Sequence, residues 1–132
     1  MIVLDEQLLG RGLELEIARW YRGPVRFLID LRPQTIVKDD AVPALLRQQS
    51  SPTFVTINER DFWHAVQADD RYCVVCFTLS DLRVNEISAR LRSLFRHAEL
   101  RTKAKRAGKV IRVTDRGISY YTAQDRTPRY LR

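Results

Sequence analysis

The chain has few of the residues from which many small proteins build their chemistry: its 132 residues include two cysteines, two histidines, one methionine, five glycines and five prolines. Two cysteines cannot make a disulfide scaffold. They stand as the C-x-x-C pair Cys73 and Cys76. Side chains three apart on a strand point to opposite faces and cannot converge on one metal, so both are expected to be core thiols in a reducing compartment. His64 and His97 have no second histidine or reactive cysteine nearby in sequence, so ordinary surface or core roles are expected. Gly10 and Gly12 are not followed by the Lys-Ser/Thr of a phosphate-cradling loop, which excludes nucleotide hydrolysis of that type. No apolar run approaches the roughly 18 residues of a membrane-spanning helix. The opening MIVLDEQLLGRG has carboxylates where a secretory signal needs a basic start. A cytoplasmic protein without a membrane partner is expected.

Hydrophobic residues make up 45% and charged residues 30% of the chain, values that suit a globular domain rather than a disordered one. With no repeat, low-complexity tract or linker, residues 1–123 read as one domain and 124–132 as a loose tail. The net charge of +7 is unevenly spread: residues 1–89 hold ten Lys/Arg against thirteen Asp/Glu, and residues 90–132 hold thirteen against three. A polyanion would be drawn to the second part and a cation to carboxylates in the first.

Apolar patterning alternates strands with helices. The strand candidates are Ile2–Leu4, Val25–Leu31, Thr53–Ile57 and Tyr72–Leu79. Between them lie a segment with Leu9, Leu13, Ile17 and Trp20 at helical spacing, a short helix after Asp39-Asp40, and another over 58–67. Arg32-Pro33 should end the second strand. Residues 81–97 carry Val84, Ile87, Leu91 and Leu94 at helical spacing, and LRTKAKRAG reads as a further helix to Gly108. VIRVT and ISYYT flank Asp115-Arg116-Gly117, a hairpin signal. Such alternation predicts an α/β fold with a mostly parallel sheet and a C-terminal β-hairpin.

In open parallel sheets ligands bind outside the carboxyl ends of the strands. Asp5 and Glu6 follow the first strand, Asp30 lies near the end of the second, Asp39-Asp40 open the next helix, Asn58, Glu59 and Asp61 follow the third strand, and Asp81 the fourth. Such a cluster suits Mg²⁺ or Mn²⁺, held by one or two carboxylates with waters and phosphate oxygens, and hence metal-assisted phosphodiester hydrolysis. Each position also precedes a helix, where Asp or Asn is a favoured N-cap, and Asn58 with Asp61 resembles a capping box. Two-component receiver domains also place acids after their first strand, but they need a phosphoaccepting Asp where this chain has Asn58.

VLDEQL at the start, Asp40-Ala-Val-Pro-Ala-Leu-Leu, and VTINERDF at 55–62 resemble, in order and spacing, the LDEN-, D-x-x-I- and T-x-D-x-D-F-type motifs of the small PIN-like nuclease family. The likeness covers about residues 1–65 and belongs to the branch related to toxins of toxin–antitoxin pairs. It implies a three-layer α/β/α PIN-like fold and a Mg²⁺- or Mn²⁺-dependent ribonuclease, with a small antitoxin protein as partner and a homodimer as a common assembly. Carried over residue by residue, it makes Asp5, Asp40 and Asp61 metal carboxylates, with Glu6 beside them in the catalytic set. Asn58 stands where many relatives have Asp, so it would ligate through its carbonyl without charge. Weaker catalysis follows, and with it the alternative of a PIN-like module that binds RNA or a protein without cutting. Gln7 replaces the usual Asn.

Arg90, Arg92, Arg96, Arg101, Lys103, Lys105, Arg106 and Lys109 crowd one stretch and read as the grip on RNA phosphates, against a plain solvated helix or a face for an acidic protein. Trp63 reads as packing against the sheet, with base stacking as the alternative.

Overall fold

Ile2-Val3-Leu4, apolar and rich in β-branched side chains, forms β1 (Ile2–Leu4), and all three residues are buried. The computed structural model describes residues 1–32 and 37–131. The further strands are β2 (Val25–Phe27), β3 (Thr53–Thr56), β4 (Cys73–Phe77), β5 (Lys109–Thr114), β6 (Gly117–Thr122) and β7 (Arg129–Tyr130). They make one sheet in the order β2-β1-β3-β4-β5-β6-β7. Pairing is parallel from β2 to β5, and antiparallel between β5 and β6 and between β6 and β7. The protein is therefore mixed α/β with a mostly parallel sheet.

Alternation along the strands divides the core in two. Ile2, Leu4, Val55, Cys73, Val75, Phe77 and Ile111 bury one face against α1 (Leu13–Ala18) and α5 (Ile87–Arg96). Val3, Phe54, Val74, Cys76 and Val110 bury the other against α3 (Val42–Arg47) and α4 (Glu59–Phe62). The strands buried on both faces are the ones that read as continuous apolar runs, as parallel strands covered by helices do. Cys73 and Cys76 fall on opposite faces as free thiols, with burial raising both pKa values, that of Cys73 to about 12.

Three elements differ from the sequence expectation. The second strand stops at Phe27, and Leu28–Leu31 forms α2 instead. The cause is local: the Asp30 carboxylate accepts the Phe27 N–H at 2.9 Å and closes a helical turn. Pro33, expected as the breaker there, lies outside the described residues. The stretch read as a loose tail supplies β7, held by the Leu131 N–H donating to the Ile118 carbonyl; Arg132 is not among the described residues. The basic stretch forms its further helix only in part. After a break at His97, only α6 (Lys103–Arg106) is helical, opened by Thr102 accepting the Lys105 N–H.

Arg106 explains part of the basic stretch without nucleic acid. It is 7% exposed, donates through Nη1 to the Leu100 and Arg101 carbonyls at 3.0 and 3.2 Å, and stacks 4.0 Å from the Phe95 ring centroid. Phe95 in turn meets Trp20 and Tyr21 edge to face. Replacing Arg106 with Ala removes the stacking and leaves two carbonyls without a donor, so a loss of about 2 kcal/mol is expected in chemical denaturation. A loss below about 0.5 kcal/mol would mean that the guanidinium is only surface charge.

Candidate active site

The strand order reverses direction at β1: β2 lies on one side and β3 on the other. The carboxyl ends of β1 and β3 therefore form the switch-point crevice in which α/β sheets bind ligands. Asp5 directly follows β1 and is 7% exposed. One carboxylate oxygen accepts the Glu6 N–H at 2.7 Å and the other accepts the Thr56 hydroxyl at 2.7 Å. Thr56, fully buried at the end of β3, also accepts the Asn58 N–H through its hydroxyl oxygen at 3.0 Å. Asp5 thus caps the 3-10 turn Glu6–Leu8 and is also fixed from β3. Burial raises its pKa, and the Thr56 and Glu6 hydrogen bonds oppose the rise.

Asn58 caps α4 by accepting the Asp61 N–H at 3.2 Å, while its amide donates to the Asp61 carboxylate at 2.8 Å. Asp61 in turn meets the carboxyl of Asp39, the neighbour of the Asp40 named from sequence. Both lie in the 3-10 turn Asp39–Ala41 that leads into α3. Asp39 and Asp40 both line the cleft that Asp61 lines. Desolvation, the hydrogen bond to Asp61, and repulsion from Asp61, Asp5 and Asp40 push the Asp39 pKa up to about 6. The Asn58 and Asp39 hydrogen bonds hold that of Asp61 down. The proximity of the two carboxyls thus pushes the Asp39 pKa up, while hydrogen bonding keeps Asp61 in its ionised form. Asp39, Asp40, Asp61 and Phe62 line a cleft of about 400 Å³, and Gln7, Arg11, Asn58, Glu59 and Arg60 line a neighbouring crevice of about 730 Å³.

The donor set can be weighed against a cation. Among the described residues, no three His, Cys, Asp or Glu side chains come close enough together to hold a metal ion by themselves. The Asp39 and Asp61 carboxyls, the latter with Arg60 as its nearby cation, and the buried Glu6 Oε1 that has no hydrogen-bond partner supply oxygen ligands at the strand ends. That fits a hard cation held by one or two carboxylates with waters and a phosphate oxygen. Other acids near the strand ends are already paired. Glu59 makes an ion pair with Arg112 Nε at 2.9 Å and accepts the Thr78 hydroxyl at 3.2 Å, and Asp81 meets Arg11 at 3.3 Å. Trp63 packs in the core beside Tyr121.

The basic stretch is not beside the carboxylates. Lys103 and Arg106 lower the pKa of the Met1 amino group after burial does, which puts them at the amino end of β1, opposite Asp5. In a parallel sheet the residues just before a strand sit at its amino end, so their position ahead of β5 was the available signal. Arg90 is bound to Glu86 and Asp115 at 2.8 and 2.7 Å, and Arg106 is buried. Lys105 and Lys109 donate to the Ala98 and Glu99 carbonyls. Arg92, Arg96, Arg101 and Lys103 remain exposed to solvent. The cations nearer the carboxylates are Arg60, Arg11 and Arg112, none of which stood out in a count of charge.

No family model matches the chain, and neither a curated protein nor a solved structure matches it.

Proposed function

We propose that the protein is a PIN-like, Mg²⁺- or Mn²⁺-dependent ribonuclease working at the carboxyl ends of β1 and β3. The observation that carries this reading is the Asp39–Asp61 carboxyl pair at the switch-point crevice, with the buried Asp5 contributing to the raised pKa of Asp39. Two acids in contact raise each other's cost of ionisation, and a divalent cation removes that cost. In this reading Asp39 and Asp61 hold the ion from the α3 and α4 side, and Asp5, fixed by Thr56, adds charge from β1. Arg60, exposed on the crevice rim, meets the phosphate. When bound, the ion would neutralise a phosphodiester and lower the pKa of a coordinated water. The wider proposal keeps the three-layer PIN-like fold, a cytoplasmic setting, a small antitoxin as partner and a homodimer. A short reading frame for such an antitoxin beside the gene would support the toxin role.

A second reading has its own observation. Asn58 stands where an acid would add charge and is committed to capping α4, which favours a PIN-like module that binds RNA or a protein without cutting. One assay separates the two. RNA incubated with the protein and Mn²⁺ should be cleaved, cleavage should stop with chelator, and Asp5→Asn should abolish it. Cleavage that survives in Asp5→Asn removes Asp5 from the site, and none in the wild type leaves the binding module.

A further inference from the structure

We propose that the groove between α1 and α5 is the track of a single-stranded RNA backbone, leading from the switch-point crevice to the basic segment at the far end of the sheet. This rests on the ribonuclease reading and extends the phosphate grip beyond Arg60 at the carboxylate end. Three hollows lie in series. The crevice beside the carboxylates shares Arg11 and Asp81 with a smaller hollow of about 210 Å³. That hollow shares Glu16 and Asn85 with a groove of about 440 Å³ between α1 and α5. Both helices start near the carboxyl ends of the strands and run toward the amino ends, so the path crosses the molecule from end to end.

Its far half is lined by Arg19 of the α1 C-terminus and by Arg92 and Arg96 of α5. All three are exposed, and among the described residues none has an ion-pair or hydrogen-bond partner. Most cations elsewhere on this face are otherwise engaged: Arg11, Arg83 and Arg90 are in ion pairs and Arg106 is buried. Arg92 and Arg96 are one helical turn apart, about 6 Å along the axis, and project along one side. Glu16 is the single carboxylate among the groove residues and sits at its junction with the smaller hollow. The half-buried Trp20 forms one wall, anchored by its indole N–H donating to the Ser88 hydroxyl at 3.0 Å. Behind the Trp20 wall, Phe95 meets the indole edge to face and carries Arg106 of α6 on its ring. Unpaired arginines beside an aromatic wall, continuous with a proposed phosphodiesterase crevice, suit a nucleic-acid strand better than an acidic protein segment, which has no reason to end at the carboxylates.

The test is binding of a fluorescent single-stranded RNA, without divalent ions, at several salt concentrations. The proteins are the wild type, R19Q/R92Q/R96Q, and a control of equal charge loss on other surfaces, R22Q/R26Q/R126Q. Melting curves confirm that both variants fold, since all six side chains are exposed. The groove variant should bind at least about tenfold more weakly, with a salt slope shallower by about 2, while the control keeps near wild-type affinity. Equal losses in the two variants, or none in the groove variant, would overturn the track. RNA cleavage by the wild type with Mn²⁺ is scored separately: if it persists while the groove variant binds normally, the ribonuclease reading stands and the track falls. A wild type that binds a poly-glutamate peptide through these arginines, and no RNA, would also overturn the track and give the groove to an acidic protein.

Discussion

Asp39→Asn is expected to slow Mn²⁺-dependent RNA cleavage about a hundredfold or more, while Asp40→Asn, one residue away, changes it by less than about fivefold. The contrast rests on Asp39 being the residue whose carboxyl meets that of Asp61, although Asp40 lines the same cleft. The same substitution should raise stability at neutral pH. The Asp39 pKa is about 6 in the fold against 3.8 for an unperturbed carboxyl, so the folded chain binds this proton more tightly than the unfolded chain. Stability is therefore lost as pH rises from below 3.8 through 6, and Asn removes that loss. Because Asp39 is more than a third exposed, solvent screens much of the effect. A rise of a few degrees in Tm at pH 7, vanishing by about pH 4, is expected in thermal melts of the two proteins. Equal melting at pH 7 would mean that the carboxyl pair carries no repulsion worth relieving. Gaining stability by removing an acid that activity needs is the usual trade at a functional site.

Thr56→Val should cost about 2–3 kcal/mol, measured by denaturant unfolding at pH 7. Valine keeps the shape and the β-propensity of threonine at the end of β3, so the loss isolates the hydroxyl. Two partners lose it together: the buried Asp5 carboxylate loses a donor, and the Asn58 N–H loses its acceptor. Without the Thr56 hydrogen bond, burial raises the Asp5 pKa further, so the deficit should shrink as pH falls and Asp5 protonates. A change below about 0.5 kcal/mol, or one that does not depend on pH, would mean that Asp5 is not held in the way described.

The fold was largely legible because burial on both faces leaves a pattern. Ile2–Leu4, Thr53–Thr56 and Cys73–Phe77 are strands whose every side chain is covered, and α5 shows its apolar stripe in Ile87, Leu91 and Leu94, with Val84 in the turn before it. β2 was read too long because Leu28 and Leu31 are as apolar as strand residues, and the side-chain hydrogen bond from Asp30 that turns the backbone leaves no apolar signal. β7 was missed because Arg129 and Tyr130 lie on an exposed edge, where pairing imposes no hydrophobic pattern. At the site, sequence placed Asp5 and Asp61 at strand ends, where they stand. It chose Asp40 and passed over Asp39; both line the cleft with Asp61, and which of them meets Asp61 depends on the rotation of a single turn. The basic stretch was counted as one grip because charge along a chain carries no direction; its neighbours Phe95, Glu86, Asp115 and the Leu100 carbonyl decide which cations are free.

The most direct test of the central claim is calorimetric titration of Mn²⁺ into the wild type and into Asp39→Asn and Asp61→Asn at pH 7. One ion per chain in the wild type, weakened about tenfold or more by either substitution and released by lowering the pH through 6, is the result predicted. Binding that neither substitution changes, or no binding by the wild type in the presence of RNA, would contradict it.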